Sequence, residues 1–191
     1  VLGTFNVGTE PGSIAFDGTN MWVANFGSNN VTKLSPTGAP LGTFPAGKKP
    51  SGIAFDGTNV WVTDFGSSSV TVLSPAGAMV TTFAVGTEPN GIAFDGAHMW
   101  VTNEQSNNVT ELSLPDFEIQ GPFAVGTSPG AIAFDGTNMW VADLDNVTEL
   151  SPSGETLGTF PMGLQPHGLA FDGAHMWVTN ANATEGSVTE L

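Results

Sequence analysis

Apolar residues along this chain come in short runs, and each run is bounded by Gly, Pro, Asp, Asn or Ser. Residues 13–16 are mostly apolar, Asp17-Gly18-Thr19-Asn20 is polar, and residues 21–25 are apolar again around Trp22. Asp-Gly between two apolar runs is a strong hairpin signal, because Asp and Gly tolerate the positive φ that such a turn needs. Phe26-Gly27-Ser28-Asn29 marks a second turn, 31–34 alternates in period two, Ser35-Pro36-Thr37-Gly38 turns again, and 41–44 is a fourth run. The pattern predicts four antiparallel strands, lettered A to D in chain order. Gly-x-x-Pro loops, beginning at Gly8, Gly47, Gly86, Gly126 and Gly163, then lead into each A strand, with Pro fixing the entry.

The unit recurs five times around Pro-x-Gly-Ile-Ala-Phe-Asp-Gly-x-x-Met-Trp-Val, cleanest at residues 89–101. The Phe of Phe-Asp-Gly stands at Phe16, Phe55, Phe94, Phe134 and Phe171, so the copies lie 39, 39, 40 and 37 residues apart. Each copy holds one Trp: Trp22, Trp61, Trp100, Trp140 and Trp177. Several short strands in a repeat of about 40 residues are the mark of a β-propeller blade. The expected fold is therefore all-β, a five-bladed β-propeller with four antiparallel strands per blade, forming one domain over residues 1–191. The first D-type segment precedes the first A strand, and the last copy stops after strand C. The expectation is that residues 1–7 supply the missing strand of the blade at 166–191 and close the ring, pairing 1–5 with 188–191 and leaving no free sheet edge.

Packing explains why these residues repeat. Strands A and B are apolar on both faces, as suits sheets packed between neighbours. Ala15, Ala54, Ala93, Ala133 and Ala170 share one strand A position, where converging blades leave room only for small side chains. Phe and Trp fill the wider space between blades. The Asp of each Asp-Gly is expected to bond nearby backbone amides in its turn, the alternative being a ring of carboxylates around a cation.

Composition narrows the function without naming it. Eighteen acidic residues against three Lys or Arg give a net charge of −15, which repels nucleic acid and anionic membranes. No apolar run approaches the ~18 residues of a membrane span, so no membrane insertion is expected. The chain has no Cys, hence no disulfide or thiol chemistry. It begins without Met or a signal peptide and is expected to be processed, excised or incomplete. Asn-x-Thr sequons begin at Asn30, Asn108, Asn146 and Asn182.

Gly-Ile-Ala-Phe-Asp-Gly-x-Asn-x-Trp-Val-x-Asn, followed by Ser-Asn-Asn-Val-Thr-x-Leu-Ser-Pro-x-Gly, resembles the bacterial YVTN/NHL-like propeller repeats over the whole chain. It is also similar, more distantly, to the blades of virginiamycin B lyase relatives. The resemblance implies a binding or scaffold protein, extracellular or at the cell surface. The lyase relatives are larger propellers that use His and Glu with magnesium. This chain has only His98, His167 and His175, and no His–Glu pair maps onto it. His98 and His175 take the place of Asn in the A–B turn, as at Asn20, Asn59 and Asn138.

No Gly-x-Ser-x-Gly elbow, P-loop or zinc spacing is present. Variation concentrates where the D–A and B–C loops meet. His167 stands where other copies have Gly12, Ser51, Asn90 and Gly130, and strand B ends in Asn25, Asp64, Asn103, Asp143 and Asn180. With Glu104 and Asp145 just beyond, these residues form the candidate site: Asn25, Asp64, Asn103, Glu104, Asp143, His167 and Asn180, a polar crown for a small cationic or polar ligand. No cofactor is assigned; calcium or magnesium stays open without a motif to support it. Nearly identical blades offer nearly identical loops, whereas catalysis needs different residues converging. The expected function is a non-enzymatic, monomeric scaffold presenting loops to a protein, peptide or carbohydrate ligand. The alternatives are a lyase-like metal-assisted enzyme and a structural or designed repeat ring.

Overall fold

The computed structural model describes residues 2–162, 165–181 and 186–191. The chain forms two compact units, Val1–Pro89 and Asn90–Leu191. Each is built from antiparallel sheets, and the described residues contain no helix. The first unit holds the sheet β1 (Pro11–Phe16), β2 (Met21–Asn25), β3 (Asn30–Leu34), β4 (Pro40–Pro45) and the sheet β5 (Pro50–Phe55), β6 (Val60–Asp64), β7 (Ser69–Leu73), β8 (Met79–Ala84). The second holds β9 (Pro89–Phe94), β10 (His98–Asn103), β11 (Asn108–Ser113), β12 (Ile119–Ala124). It continues with β13 (Ile132–Phe134), β14 (Met139–Ala142), β15 (Asn146–Leu150), β16 (Thr156–Pro161), and a sheet of three, β17 (Pro166–Phe171), β18 (Met176–Asn180), β19 (Ser187–Glu190). The five sheets of four, four, four, four and three strands are propeller blades, each a simple meander in chain order.

While β13 starts at Ile132, the other four A strands, β1, β5, β9 and β17, start about two residues earlier than the apolar pattern predicts, at the Pro itself. The ladder shifts register there, between Pro11 and Ser13 in the first blade and between Pro166 and Gly168 in the last. Proline has no N–H to give a ladder, so it is accommodated at the start of a strand beside an irregularity. Beyond it the register is regular: Ala15 faces Trp22, Trp22 faces Lys33, and Asn25 faces Asn30.

The expected fourth strand of the last sheet is not among the described strands. Residues 2–7 carry no strand, and β19 pairs with β18; Val1 lies outside the described residues. The physical anchor of this segment is a side chain rather than a ladder. A Cβ on Gly38, which has φ 82°, would fall inside the Phe5 ring, as one on Gly77 would meet Phe44 and one on Gly154 would meet Phe123. Phe5 therefore rests on the C–D turn of the first blade as strand D phenylalanines rest on the following blade.

Inside each unit the core lies between blades. Trp22, Ala24 and Val31 of the first blade pack on Ile53, Val60, Val62 and Leu73 of the second. In the second unit Trp100 meets Met139 and Leu150, and Trp140 meets Met176 and Val178. Each of these indoles also lies on the Phe of its own strand D, with centroids 5.5 Å apart for Trp22–Phe44, 5.7 Å for Trp100–Phe123 and 5.4 Å for Trp140–Phe160. Trp177 departs from the expected burial. Among the described residues of its own unit no blade follows it and none supplies its Phe, and it is 37% exposed where Trp140 is 8% exposed. Likewise Ile14, with no blade before it in its unit, is 59% exposed, and the equivalent Ile53 is 7% exposed. Strands A approach so closely that a Cβ on Gly91 would strike the Gly130 carbonyl oxygen, which accounts for the small residues there.

Candidate functional site

The most repeated carboxylate in the sequence is consumed by folding. Asp17 Oδ1 accepts the amides of Thr19 (2.8 Å) and Asn20 (2.6 Å), while Oδ2 accepts Trp22 Nε1 at 2.6 Å. Asp56, Asp95, Asp135 and Asp172 repeat this, each reaching the indole five residues on at 2.7 Å. For Asp17, Asp95 and Asp135 burial pushes the pKa up, but the indole and amide bonds together outweigh it and the net shift is down. The bond from Trp177, with the His175 and Ala174 amides, holds Asp172 at about 2. Asp-Gly-x-x-x-Trp is thus a turn locked to a core indole. The histidines of this turn behave as substitutes for Asn. His98 Nδ1 lies 3.0 Å from Asp95 and Nε2 3.6 Å from Glu111 of strand C; Asn138 donates to the corresponding Glu149 at 2.7 Å.

The residues ending strand B also face inward. Asn25 Oδ1 accepts the Gly8 amide at 3.1 Å, and its Nδ2 donates to Asn30 Oδ1 (2.8 Å) and Thr32 Oγ1 (2.9 Å). Asp64 accepts Gly47 N–H at 2.9 Å, Ser69 at 3.1 Å and Thr71 at 2.7 Å. Asn103 donates to Asn108 and Thr110, and Asn180 to Ser187 and Thr189. All are buried. Asn25 and Asp64 pin the loop entering strand A to strand C, whereas Asn103 and Asn180 bond strand C alone and, among the described residues, their buried Oδ1 atoms find no loop amide; all four lie beneath the loops. The sequons at Asn30 and Asn108 supply partners in these pins; Asn182 lies outside the described residues.

Asp143, 1% exposed, occupies the same position with weaker support. Its Oδ2 takes the Thr148 hydroxyl at 2.6 Å. The Gly126 amide reaches the carboxylate loosely, leaving Oδ1 without a hydrogen bond of good geometry. Burial pushes its pKa up to about 6, against the pull of those two partners. Asp143, Glu104 and exposed His167 are brought together, lining a cleft of about 280 Å³ with Gln165 and Leu144. Of the seven residues expected at the site, these three share one opening.

A larger cleft, about 470 Å³, lies on the loop side of the first unit and is lined by Asn29, Lys48, Lys49, Phe65, Ser68 and Glu88, among others. Its walls are loop corners stitched by backbone bonds. Phe65 N–H donates to Lys49 O at 3.1 Å and Gly66 N–H to Lys48 O at 2.8 Å. Lys49 has φ 54°, a left-handed conformation, and its amide is held by Asn29 Oδ1 at 2.8 Å. Lys48 N–H donates to Ser67 Oγ at 2.7 Å. The corner is rigid while both ammonium groups project: Lys48 and Lys49 are exposed and form no ion pair among the described residues. Lys49 Nζ stands 5.4 Å over the Phe26 ring, and Phe26 and Phe65 lie 6.0 Å apart. Lys33, the third cation, is committed to Asp17 and the Trp22 ring.

Sequence reasoning passed over this cleft because it ranked carboxylates. Two signals pointed to it. Lys48-Lys49 is the one cationic pair in a chain of three basic residues, and Phe opens the B–C turn only at Phe26 and Phe65, giving way to Glu104, Leu144 and Ala181.

Comparison with known proteins places the fold. No family model matches the chain, and no curated protein does. Solved structures do. Hydrazine synthase of Kuenenia stuttgartiensis shares 20% identity and a TM-score of 0.79 over 100% of this chain and 69% of its own. A streptogramin B lyase gives 17% and 0.76 over 96% of this chain and 69% of its own. Virginiamycin B lyase from Staphylococcus aureus gives 21% and 0.75 over 88% and 62%. These likenesses establish a distant β-propeller relationship and carry no activity across to this chain.

Proposed function

We propose that the chain is a non-enzymatic propeller scaffold of the YVTN/NHL-like kind that presents loop corners to a protein, peptide or glycan ligand outside the cell. The observation that carries this is the cleft of the first unit, which is lined by two lysines without an ion pair among the described residues and by Phe65 of an aromatic pair, on a chain of charge −15. Two neighbouring ammonium groups without an ion pair on a hydrogen-bonded corner offer local charge complementarity to an anionic partner. Aromatic faces beside convergent polar groups are the usual makeup of a binding cleft. The repeated Asp residues that could serve as acids or bases are committed to turns.

A second reading, an acid–base or metal-assisted site, draws on the cleft holding Glu104, Asp143 and His167. It is the weaker one, because Asp143 lies beneath the loops and its Oδ2 is tied to Thr148.

The test is an array of oligosaccharides and peptides probed with the labelled protein and with Lys48→Glu/Lys49→Glu, both checked by thermal melting. The scaffold reading expects bound features that the double variant loses while melting as the parent does. Features bound equally by both proteins, or none bound at all, would refute it.

A further inference from the structure

Within the binding-module reading, on which this inference rests, the cleft's chemistry selects a ligand class. The geometry points to an acidic saccharide, a sugar ring carrying a carboxylate, seated on Phe65 with its acid group between Lys48 and Lys49. Three features converge. The net charge of −15 repels anions at a distance, so an anion is held only where cations are local. Among the described residues, Lys48 and Lys49 are the lysines of the first unit without an ion pair, and they stand on one corner. Their ammonium groups are strongly hydrated point charges with three donors each, suited to a single carboxylate or sulfate.

The second feature is the ring face. Phe65 lines the cleft and Phe26 backs it. The C–H face of a pyranose is apolar and flat enough to cover such a ring, and an aromatic contributes large contact area for little lost side-chain freedom. The third feature is the rest of the lining. Glu88, Asn29 and Ser68 are hydrogen-bonding groups beside the cations. Glu88 accepts hydrogen bonds from a ligand that carries, besides acid groups, hydroxyls, which a run of acidic residues lacks. Acid group, apolar face and hydroxyls together describe a uronate. A cleft of about 470 Å³ admits a short stretch of such a chain.

In the sequence, the same two positions of the other four repeats are Thr9-Glu10, Thr87-Glu88, Thr127-Ser128 and Leu164-Gln165, without a cation. Binding is therefore confined to one site per chain, with a stoichiometry of one, although the loop framework repeats.

Isothermal titration of tri-galacturonate into the whole protein at low ionic strength tests this, beside its methyl ester and a tri-aspartate peptide. The inference expects one site for the uronate and binding weakened about tenfold by Lys48→Gln/Lys49→Gln or by salt near 0.5 M. It expects weaker binding of the ester, and loss of binding in Phe65→Leu, which keeps apolar volume and removes the ring. The melting temperature of each variant separates lost binding from lost fold. Uronate binding that ignores the lysine changes, or that persists in Phe65→Leu, would overturn the inference. Binding of tri-aspartate in preference to the uronate, lost in the lysine variant, would overturn the sugar class and leave the scaffold reading standing. If no probe is bound and the array is also blank, both fall.

Discussion

Replacing Asp143 with Asn should stabilise the protein, and by an amount that depends on pH. Asn stands at the equivalent position in Asn25, Asn103 and Asn180. Asn25 shows how the amide fits: its Oδ1 takes a loop amide and its Nδ2 donates to Thr32 at 2.9 Å. Asp143 instead holds a carboxyl group in a site where burial pushes its pKa from 3.8 to about 6. A carboxyl whose pKa is raised on folding binds its proton more tightly in the folded state. Its charge therefore costs stability above the folded value, and that cost disappears below the unfolded one. A shift of about two units corresponds to about 3 kcal/mol at pH 8. Asp143→Asn should recover most of that at pH 8, progressively less from pH 6 downward, and almost none near pH 4. Urea unfolding of both proteins at pH 8, 6 and 4 measures it. A difference independent of pH, or an Asn variant less stable at pH 8, would refute the burial argument. Asp64→Asn is the built-in comparison. Asp64 also has a raised pKa from burial, but three bonds support it, so its gain should be smaller.

Two further predictions concern the locked turn and the indole it holds. Trp100→Ala should cost roughly 3–5 kcal/mol in urea unfolding, as for a large aromatic removed from a core, and the more exposed Trp177→Ala about 1–2 kcal/mol; equal costs would show that Trp177 is covered in solution. Asp172 has a depressed pKa, so its stabilisation is present above the unfolded value of 3.8 and is lost as pH falls toward about 2. Asp172→Asn should flatten the stability profile across that window, and a profile of unchanged slope would remove the Trp177 bond from the account.

The blades were legible because every level of the sequence agrees on them. Asp-Gly turns, apolar runs and a Trp in each repeat all mark the same strands, and β2, β6, β10, β14 and β18 each contain their Trp as expected. The structural use of Asp17 and its repeats was legible in part. The turn amides follow from Asp chemistry, while the indole bond needs the A–B register that brings Asp17 back to Trp22. The site was harder. Asn25, Asp64 and Asp143 read as a polar crown because they are polar and stand at strand ends, and side-chain direction is not visible in a one-dimensional pattern. Whether an Asn at the end of strand B faces water or pins Gly8 depends on where the preceding loop crosses it. Phe26 reads as the start of the B–C turn, and the pattern does not show that this turn leaves Phe26 and Phe65 half-buried and beside Lys49. Strand pairing at residues 2–7 was inferred from likeness to Leu41 and Phe44, yet Phe5 reproduces the side-chain contact of Phe44 without a ladder.

The most direct test of the account is a crystal structure of the protein with tri-galacturonate. It should show a sugar ring stacked on Phe65, its carboxylate within hydrogen-bond distance of the Lys48 or Lys49 ammonium, with Asn25 and Asp64 still bonded inward to Gly8 and Gly47. A ligand held instead by Glu104 and His167, or a first-unit cleft left empty beside an occupied site elsewhere, would contradict it.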